Sequence, residues 1–270
     1  MNDTENNIKT LAIAGCGKLG SIVAKAAADG FLNGYKLIGV YSRSATKAQA
    51  VASAMAEAGQ ECHVASTIES LLAMHPDFLV EAAAPQALRK WLLPALTQGT
   101  SVVCLSIGAF ADDSFYAEAV RTAKSNGSRI YIVSGATGGF DVLQTATLMG
   151  GAKAEFFNEK GPDALHGTPV YDETLQTESR TVFSGSATEA IALFPTKVNV
   201  TVAAARASVG PTALKVRIQS TPGFKGDTQH VEISNSQVHA VIDVYSKTAE
   251  IAAWSVVSTL RNIISPIVFV

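Results

Sequence analysis

Short, unbroken apolar runs punctuate the first half of the chain, at residues 11–14, 37–40, 78–80, 102–105 and 130–133. Runs of this length predict strands buried on both faces, as in a parallel sheet covered by helices on each side. Between them lie stretches rich in alanine, lysine, leucine and glutamine, which predict helices over 18–29, 46–58, 86–97 and 113–126. A weaker strand is expected at 63–65. Strand and helix alternating in this way predict an α/β doubly wound parallel sheet of the Rossmann type.

The pattern changes after Val133. Ser134-Gly135-Ala136-Thr137-Gly138-Gly139 reads as a glycine-dense hinge between strand and helix. Beyond it, strands are expected at 154–157, 215–219, 231–235 and 238–245, several alternating polar with apolar residues as a sheet with one wet face does. Helices are expected at 187–193 and 199–208. The closing stretch 249–264 carries Ala253, Val256, Val257, Leu260, Ile263 and Ile264 at helical spacing. The expected organisation is a dinucleotide-binding domain over 1–135, with helix 249–264 packing back on it. An α+β domain with a mixed or antiparallel sheet, serving substrate and oligomer contacts, is expected over 136–248.

Composition narrows the choice of partner. The chain is 47% hydrophobic and 16% charged, a globular profile, and its net charge of -2 gives no footprint for nucleic acid or an anionic membrane. No apolar run approaches the roughly 20 residues of a membrane span. Cys16, Cys62 and Cys104 form no CxxC pair, and the opening MNDTENNIK lacks the order of a secretory leader, so a cytoplasmic location is expected. No GxSxG elbow, HExxH, P-loop or paired-cysteine metal motif occurs, which sets aside the common hydrolase, metalloprotease and kinase routes.

Gly15-Cys16-Gly17-Lys18-Leu19-Gly20 is a GxGxxG motif placed directly after the first apolar run and opening the first helix. In that context Gly15 permits the tight turn, Gly17 lets a pyrophosphate approach the backbone, and Gly20 lets helix pack on strand. The helix start then offers oriented N–H groups to the phosphates. The acid expected near the end of the second strand is missing, since the chain reads Val40-Tyr41-Ser42-Arg43-Ser44 there. Ser42 and Arg43 fit a ribose 2′-phosphate instead, so the cofactor expectation is NAD or NADP, leaning to NADP with dual specificity open. The bland reading of Arg43 is a solvated loop residue.

Ligands in this fold lie beyond the carboxyl ends of the strands. Ala83 and Ala84, in Glu81-Ala82-Ala83-Ala84-Pro85-Gln86, Ser106, in Ser106-Ile107-Gly108-Ala109-Phe110, and Ser134-Gly135-Ala136 stand at three such ends and leave room for a nicotinamide and its ribose. Close helix packing explains the alanines equally well. Of the five histidines, His63 and His75 are expected on the surface, His166 in a loop and His239 packed or hydrogen-bonded in a strand. His230 ends a loop just before an expected strand and is the candidate general acid/base.

These blocks together resemble the L-aspartate dehydrogenase family over nearly the whole chain. The resemblance rests on GCGKLG, EAAAPQAL from Glu81, LSIGAFAD from Leu105 and SGATGGFDVL from Ser134. It continues through GSATEAIALFPTKVNVTVA from Gly185, DTQHVEI around His230, and the closing AAWSVVSTLRNII. It implies interconversion of L-aspartate with oxaloacetate and ammonia through iminoaspartate, using NAD or NADP. It further implies His230 as the active-site histidine, Ala136 and Asn199 as cofactor contacts, and a homodimer or larger homo-oligomer. Lys197 stands where the family's FPxNxNV block has its first Asn. Lys197, Lys160 and Arg180 are candidates to hold substrate carboxylates, against the bland reading of solvated surface charges. A reductase of another 2-oxo acid, imine or semialdehyde, and a non-catalytic NAD(P)-binding sensor, remain open alternatives.

Overall fold

The computed structural model describes residues 8–195 and 198–269, which fall into two compact units. Among the described residues the first comprises 8–109, 113–133 and 252–269, and the second 110–112, 134–195 and 198–251.

Six strands form the sheet of the first unit: β1 (Lys9–Ala14), β2 (Tyr35–Tyr41), β3 (His63–Val64), β4 (Phe78–Glu81), β5 (Ser101–Cys104) and β6 (Ile130–Ile132). Their order is β3-β2-β1-β4-β5-β6 and every pairing is parallel, the Rossmann arrangement expected from the apolar runs. Leu11, Ile13, Leu37, Val40, Leu79, Val80, Val102 and Val103 are all buried, as strands sandwiched between helix layers must be. The helices are α1 (Lys18–Ala28), α2 (Ala45–Glu57), α3 (Ile68–Leu72), α4 (Pro85–Thr97) and α5 (Asp113–Asn126). Pro85 opens α4, where its missing N–H costs nothing. The sequence pattern did not show α3, whose single turn is held by a capping box between Thr67 and Ser70.

In the second unit α6 (Phe140–Leu148) precedes β7 (Lys153–Lys160), β8 (Arg180–Ser186), α7 (Ala187–Leu193), α8 (Asn199–Arg206), β9 (Lys215–Ser220), β10 (Asp227–Ser234) and β11 (His239–Ser246). The sheet runs β11-β10-β7-β9-β8, with β7 and β9 parallel and the other pairs antiparallel. This mixed sheet matches the expected fold class. Its covered face sends Phe156, Val216, Ile218, Val231 and Ile233 into a core with Leu143, Ala190, Phe194 and Ala204 from the helices. The other face carries Phe157, Arg217, His230, Asp243 and Tyr245, none of them buried. β8 was not visible in the sequence because it is an edge strand with a register shift between Thr181 and Phe183 that interrupts the alternation.

The last helix, α9 (Glu250–Ile264), belongs to the first unit from residue 252 onward. There Tyr35 donates its hydroxyl proton to the Leu260 carbonyl at 2.8 Å, and Trp254 meets Phe31 edge to face. No helix among the described residues is long and apolar enough to cross a membrane.

Candidate functional site

The first unit joins β1 to α1 through a tight glycine turn. Gly15 has φ of 110°, and a Cβ there would stand 2.5 Å from the Ala82 carbonyl oxygen. A Cβ on Gly20 would lie 1.8 Å from the Gly15 carbonyl oxygen. Both positions therefore require glycine for the turn to close against β4 and α1. Gly17 differs: a Cβ there meets nothing within 4 Å. Its small size leaves open space at the start of α1, and as N-cap it brings no capping side chain. Lys18 and Leu19 form the first turn beside it. Open space at the start of a helix, where the backbone N–H groups point along the axis, fits an anionic diphosphate.

At the end of β2, Ser42 is half-buried and Arg43 exposed, with the Ser42 Oγ accepting from the Ser44 N–H at 3.3 Å. The turn's Cys16 is buried and aims its thiol at the Tyr41 carbonyl, 3.7 Å away; burial pushes that thiol up to about 11.

Beyond β4 and β5 the sequence reading named Ala83, Ala84 and Ser106 but missed the residue that organises them. Glu81 is wholly buried at the end of β4. Its Oε1 accepts from the Ala83 N–H and from the Ser106 hydroxyl, both at 2.8 Å, and its Oε2 accepts from the Ser106 N–H at 3.0 Å. Burial pushes the Glu81 carboxyl up, while these donors and the Ala84 N–H pull it back toward ionisation. Two loops at the ligand end of the sheet are thus clipped together by one carboxylate. A glutamate ending an apolar strand was the available signal.

In the second unit the hinge and α8 come together. Gly135, at φ of 63°, packs so closely that a Cβ would lie 2.9 Å from the Val200 Cγ1. Val200 is the second residue of α8, which opens at Asn199. The Thr137 hydroxyl is buried without a hydrogen-bond partner among the described residues. An orphaned hydroxyl next to Ala136 in the chain fits a polar group supplied by a bound ligand.

His230 is the fourth residue of β10 rather than the end of a loop before it. Residues 227–230 pair with β7 on one side and β11 on the other, and such pairing leaves no mark in a single sequence. The ring is about one-third exposed, with Nδ1 3.6 Å from the Asp243 carboxylate, an electrostatic rather than a hydrogen-bonding distance. It lines a cavity of about 240 Å³ together with Phe157, Ser184, Arg217 and Glu232.

The cationic candidates divide differently. Lys160 is buried on the covered face, its ammonium donating to both Asp227 carboxylate oxygens at 2.8 Å, which overturns the solvated-surface reading for that residue. Burying a lysine requires such a partner. Arg180 is an exposed edge residue paired with Asp172, whose carboxyl is held down at about 2 by the Thr174 hydroxyl and by Arg180. Lys197 lies outside the described residues. His63 and His75 are exposed, and His239 is hydrogen-bonded to Glu232 at 2.8 Å. No group of three metal-ligating side chains occurs among the described residues.

Residues 15–133 match the homoserine dehydrogenase NAD-binding domain model, and residues 141–263 match the C-terminal domain model of aspartate dehydrogenase. The L-aspartate dehydrogenase 2 of Bordetella pertussis is 33% identical over 206 residues, covering 72% of this chain and 77% of that protein. The chain belongs to the L-aspartate dehydrogenase family. Another family member, from Methanocella arvoryzae, is 29% identical over 270 residues, covering 95% of this chain and 97% of its own. The crystal structure of the Thermotoga maritima aspartate dehydrogenase shares the fold, with a TM-score of 0.77 at 24% identity over 97% of this chain and 99% of that one. Like the family, the chain is an oxidoreductase with an NAD-binding domain.

Proposed function

We propose that this protein is an NAD(P)-dependent L-aspartate dehydrogenase, interconverting L-aspartate and water with oxaloacetate and ammonia through iminoaspartate. The observation that carries this reading is His230, an accessible imidazole with a carboxylate beside Nδ1, in a small cavity of the unit that matches the aspartate dehydrogenase model. The nicotinamide, when bound, supplies or accepts the hydride at carbon.

The chain's own residues do the rest. Gly15, Gly17 and Gly20 shape the turn that admits the diphosphate, and the first N–H groups of α1 neutralise part of its charge. Ser42 and Arg43 hold the adenosine ribose, and in the absence of an acid at the end of β2 they favour the 2′-phosphate of NADP. Glu81 fixes the backbone at Ala83, Ala84 and Ser106 that borders the nicotinamide. Ala136 and Asn199 serve as cofactor contacts, and the Thr137 hydroxyl gains a partner from a bound ligand. His230 takes a proton as water adds to the imine and returns it as ammonia leaves, while Asp243 stabilises the imidazolium. In the reverse direction the same ring serves carbinolamine dehydration.

The test follows nicotinamide absorbance with oxaloacetate plus ammonium, using NADH and NADPH in parallel. Oxidation of either cofactor that requires both substrates is the expected result. Inactivity with both cofactors, alongside turnover of other oxo acids, removes the aspartate assignment.

A further inference from the structure

We infer that Arg217 is a carboxylate-binding subsite beside His230, holding the end of the substrate remote from the reacting carbon. The inference rests on the reading of His230 as the proton-transfer residue.

Strand register aligns the side chains concerned. Asp243 pairs with His230, His230 with Phe157, Phe157 with Arg217, and Arg217 with Ser184. Directly opposed residues point to the same face, so these five form one row across the uncovered side of the sheet. His230 and Arg217 are two strands apart, about 10 Å between backbones. The Arg217 guanidinium carbon lies 4.8 Å from the Phe157 ring centroid, so the side chain leans over that ring toward the strand of His230. Both residues line the same cavity of about 240 Å³. That is below the roughly 300–1,000 Å³ of sites for drug-sized ligands, and it suits an acid of a few carbons.

Charge selects Arg217 from the other lining residues. Glu155 is paired with Lys215 at 3.0 Å and Glu232 with His239 at 2.8 Å, so each acid already has a partner. The guanidinium of Arg217 has no ion pair or hydrogen bond among the described residues; the Phe157 ring is its contact. An uncompensated guanidinium stacked on an aromatic ring is oriented in advance and presents two parallel N–H donors to a carboxylate. Lys160 and Arg180 do not compete for this role, because Asp227 and Asp172 already occupy them. A dicarboxylate bridging Arg217 and His230 would put one carboxylate on the guanidinium and the reacting carbon at the imidazole. A monocarboxylate oxo acid lacks the first of these contacts.

The experiment uses the full chain with Arg217→Met and Arg217→Lys. Succinate, an unreactive dicarboxylate, is titrated calorimetrically into the cofactor-loaded protein. In parallel, KM and kcat are measured with oxaloacetate and with pyruvate. Arg217→Met should weaken succinate binding and raise the oxaloacetate KM by about tenfold or more, the loss expected for one charge-assisted bidentate contact. The kcat for oxaloacetate, kcat/KM for pyruvate and the cofactor Kd should change less than about threefold, and Arg217→Lys should recover part of the binding. Unchanged succinate affinity in Arg217→Met, or equal losses with oxaloacetate and pyruvate, overturns the subsite. The calorimetric arm reads the subsite without turnover. A wild-type protein that binds succinate through Arg217 but leaves aspartate and oxaloacetate unreacted overturns the proposed function alone.

Discussion

Ser106 gives Glu81 two hydrogen bonds, one from its hydroxyl at 2.8 Å to Oε1 and one from its N–H at 3.0 Å to Oε2. With Ala83 donating to Oε1, the loop after β4 and the loop after β5 share one buried carboxylate. Glu81→Gln keeps the size but sets an amide NH₂ against these donors. Each donor left unpaired costs about 1–3 kcal/mol, so a lowered urea midpoint and a weaker dinucleotide Kd are expected together. Glu81→Gln with wild-type stability and affinity would show that the clip is incidental.

Gly17 faces open space, and Gly20 is closed in by the fold. A Cβ at Gly17 meets nothing, whereas one at Gly20 collides with the Gly15 carbonyl. Gly17→Ala should therefore keep its Tm within about 2 °C and lose dinucleotide affinity by about tenfold or more, as the methyl occupies the pyrophosphate approach. Gly20→Ala should lose both. Fluorescence titration and thermal unfolding distinguish the two patterns, and undiminished affinity in Gly17→Ala sinks the proposed diphosphate site.

Replacing His230 by Ala should lower kcat by about 10²–10⁴ and leave the dinucleotide Kd unchanged, the effect of removing a general acid/base. Its accessibility and its strand position both favour a folded variant. Retained turnover would reassign the proton transfer.

Arg43 is exposed at the end of β2. Arg43→Ala should raise the KM for NADPH by about tenfold while leaving that for NADH nearly unchanged, since only NADPH offers the 2′-phosphate. Equal effects on both cofactors would place Arg43 away from that phosphate.

Burial holds the Cys16 thiol up at about 11 and the Cys62 thiol up at about 12. Iodoacetamide at pH 8 should therefore modify the native chain far more slowly than the urea-unfolded chain. The linkage has a definite sign. A thiol raised by folding contributes stability below its ordinary value near 9, and that contribution is lost as pH climbs from there through 11 and 12. Rapid labelling of native Cys16 at pH 8 contradicts this.

The amino-acid order by itself determined the first sheet and the glycine turn. Leu11, Ile13, Val80 and Val102 are apolar because both sheet faces are covered, and Gly15 and Gly20 are glycine because their neighbours leave no room for a Cβ. Such constraints are local, so they are written into consecutive residues. The edge strand β8 escaped because a register shift disrupts its period, and Glu81 escaped because its partner Ser106 is distant in sequence.

Only the tertiary structure decided which side chains of the second sheet share a face and a row. His230, Phe157 and Arg217 lie far apart along the chain, and a shift of one residue in any strand would send each to the opposite side. Likewise the fate of Lys160 depended on Asp227 lying opposite it across β7 and β10. Periodicity reports that a strand exists, but register is settled by hydrogen bonding between strands and by burial of a common core, which no isolated segment contains.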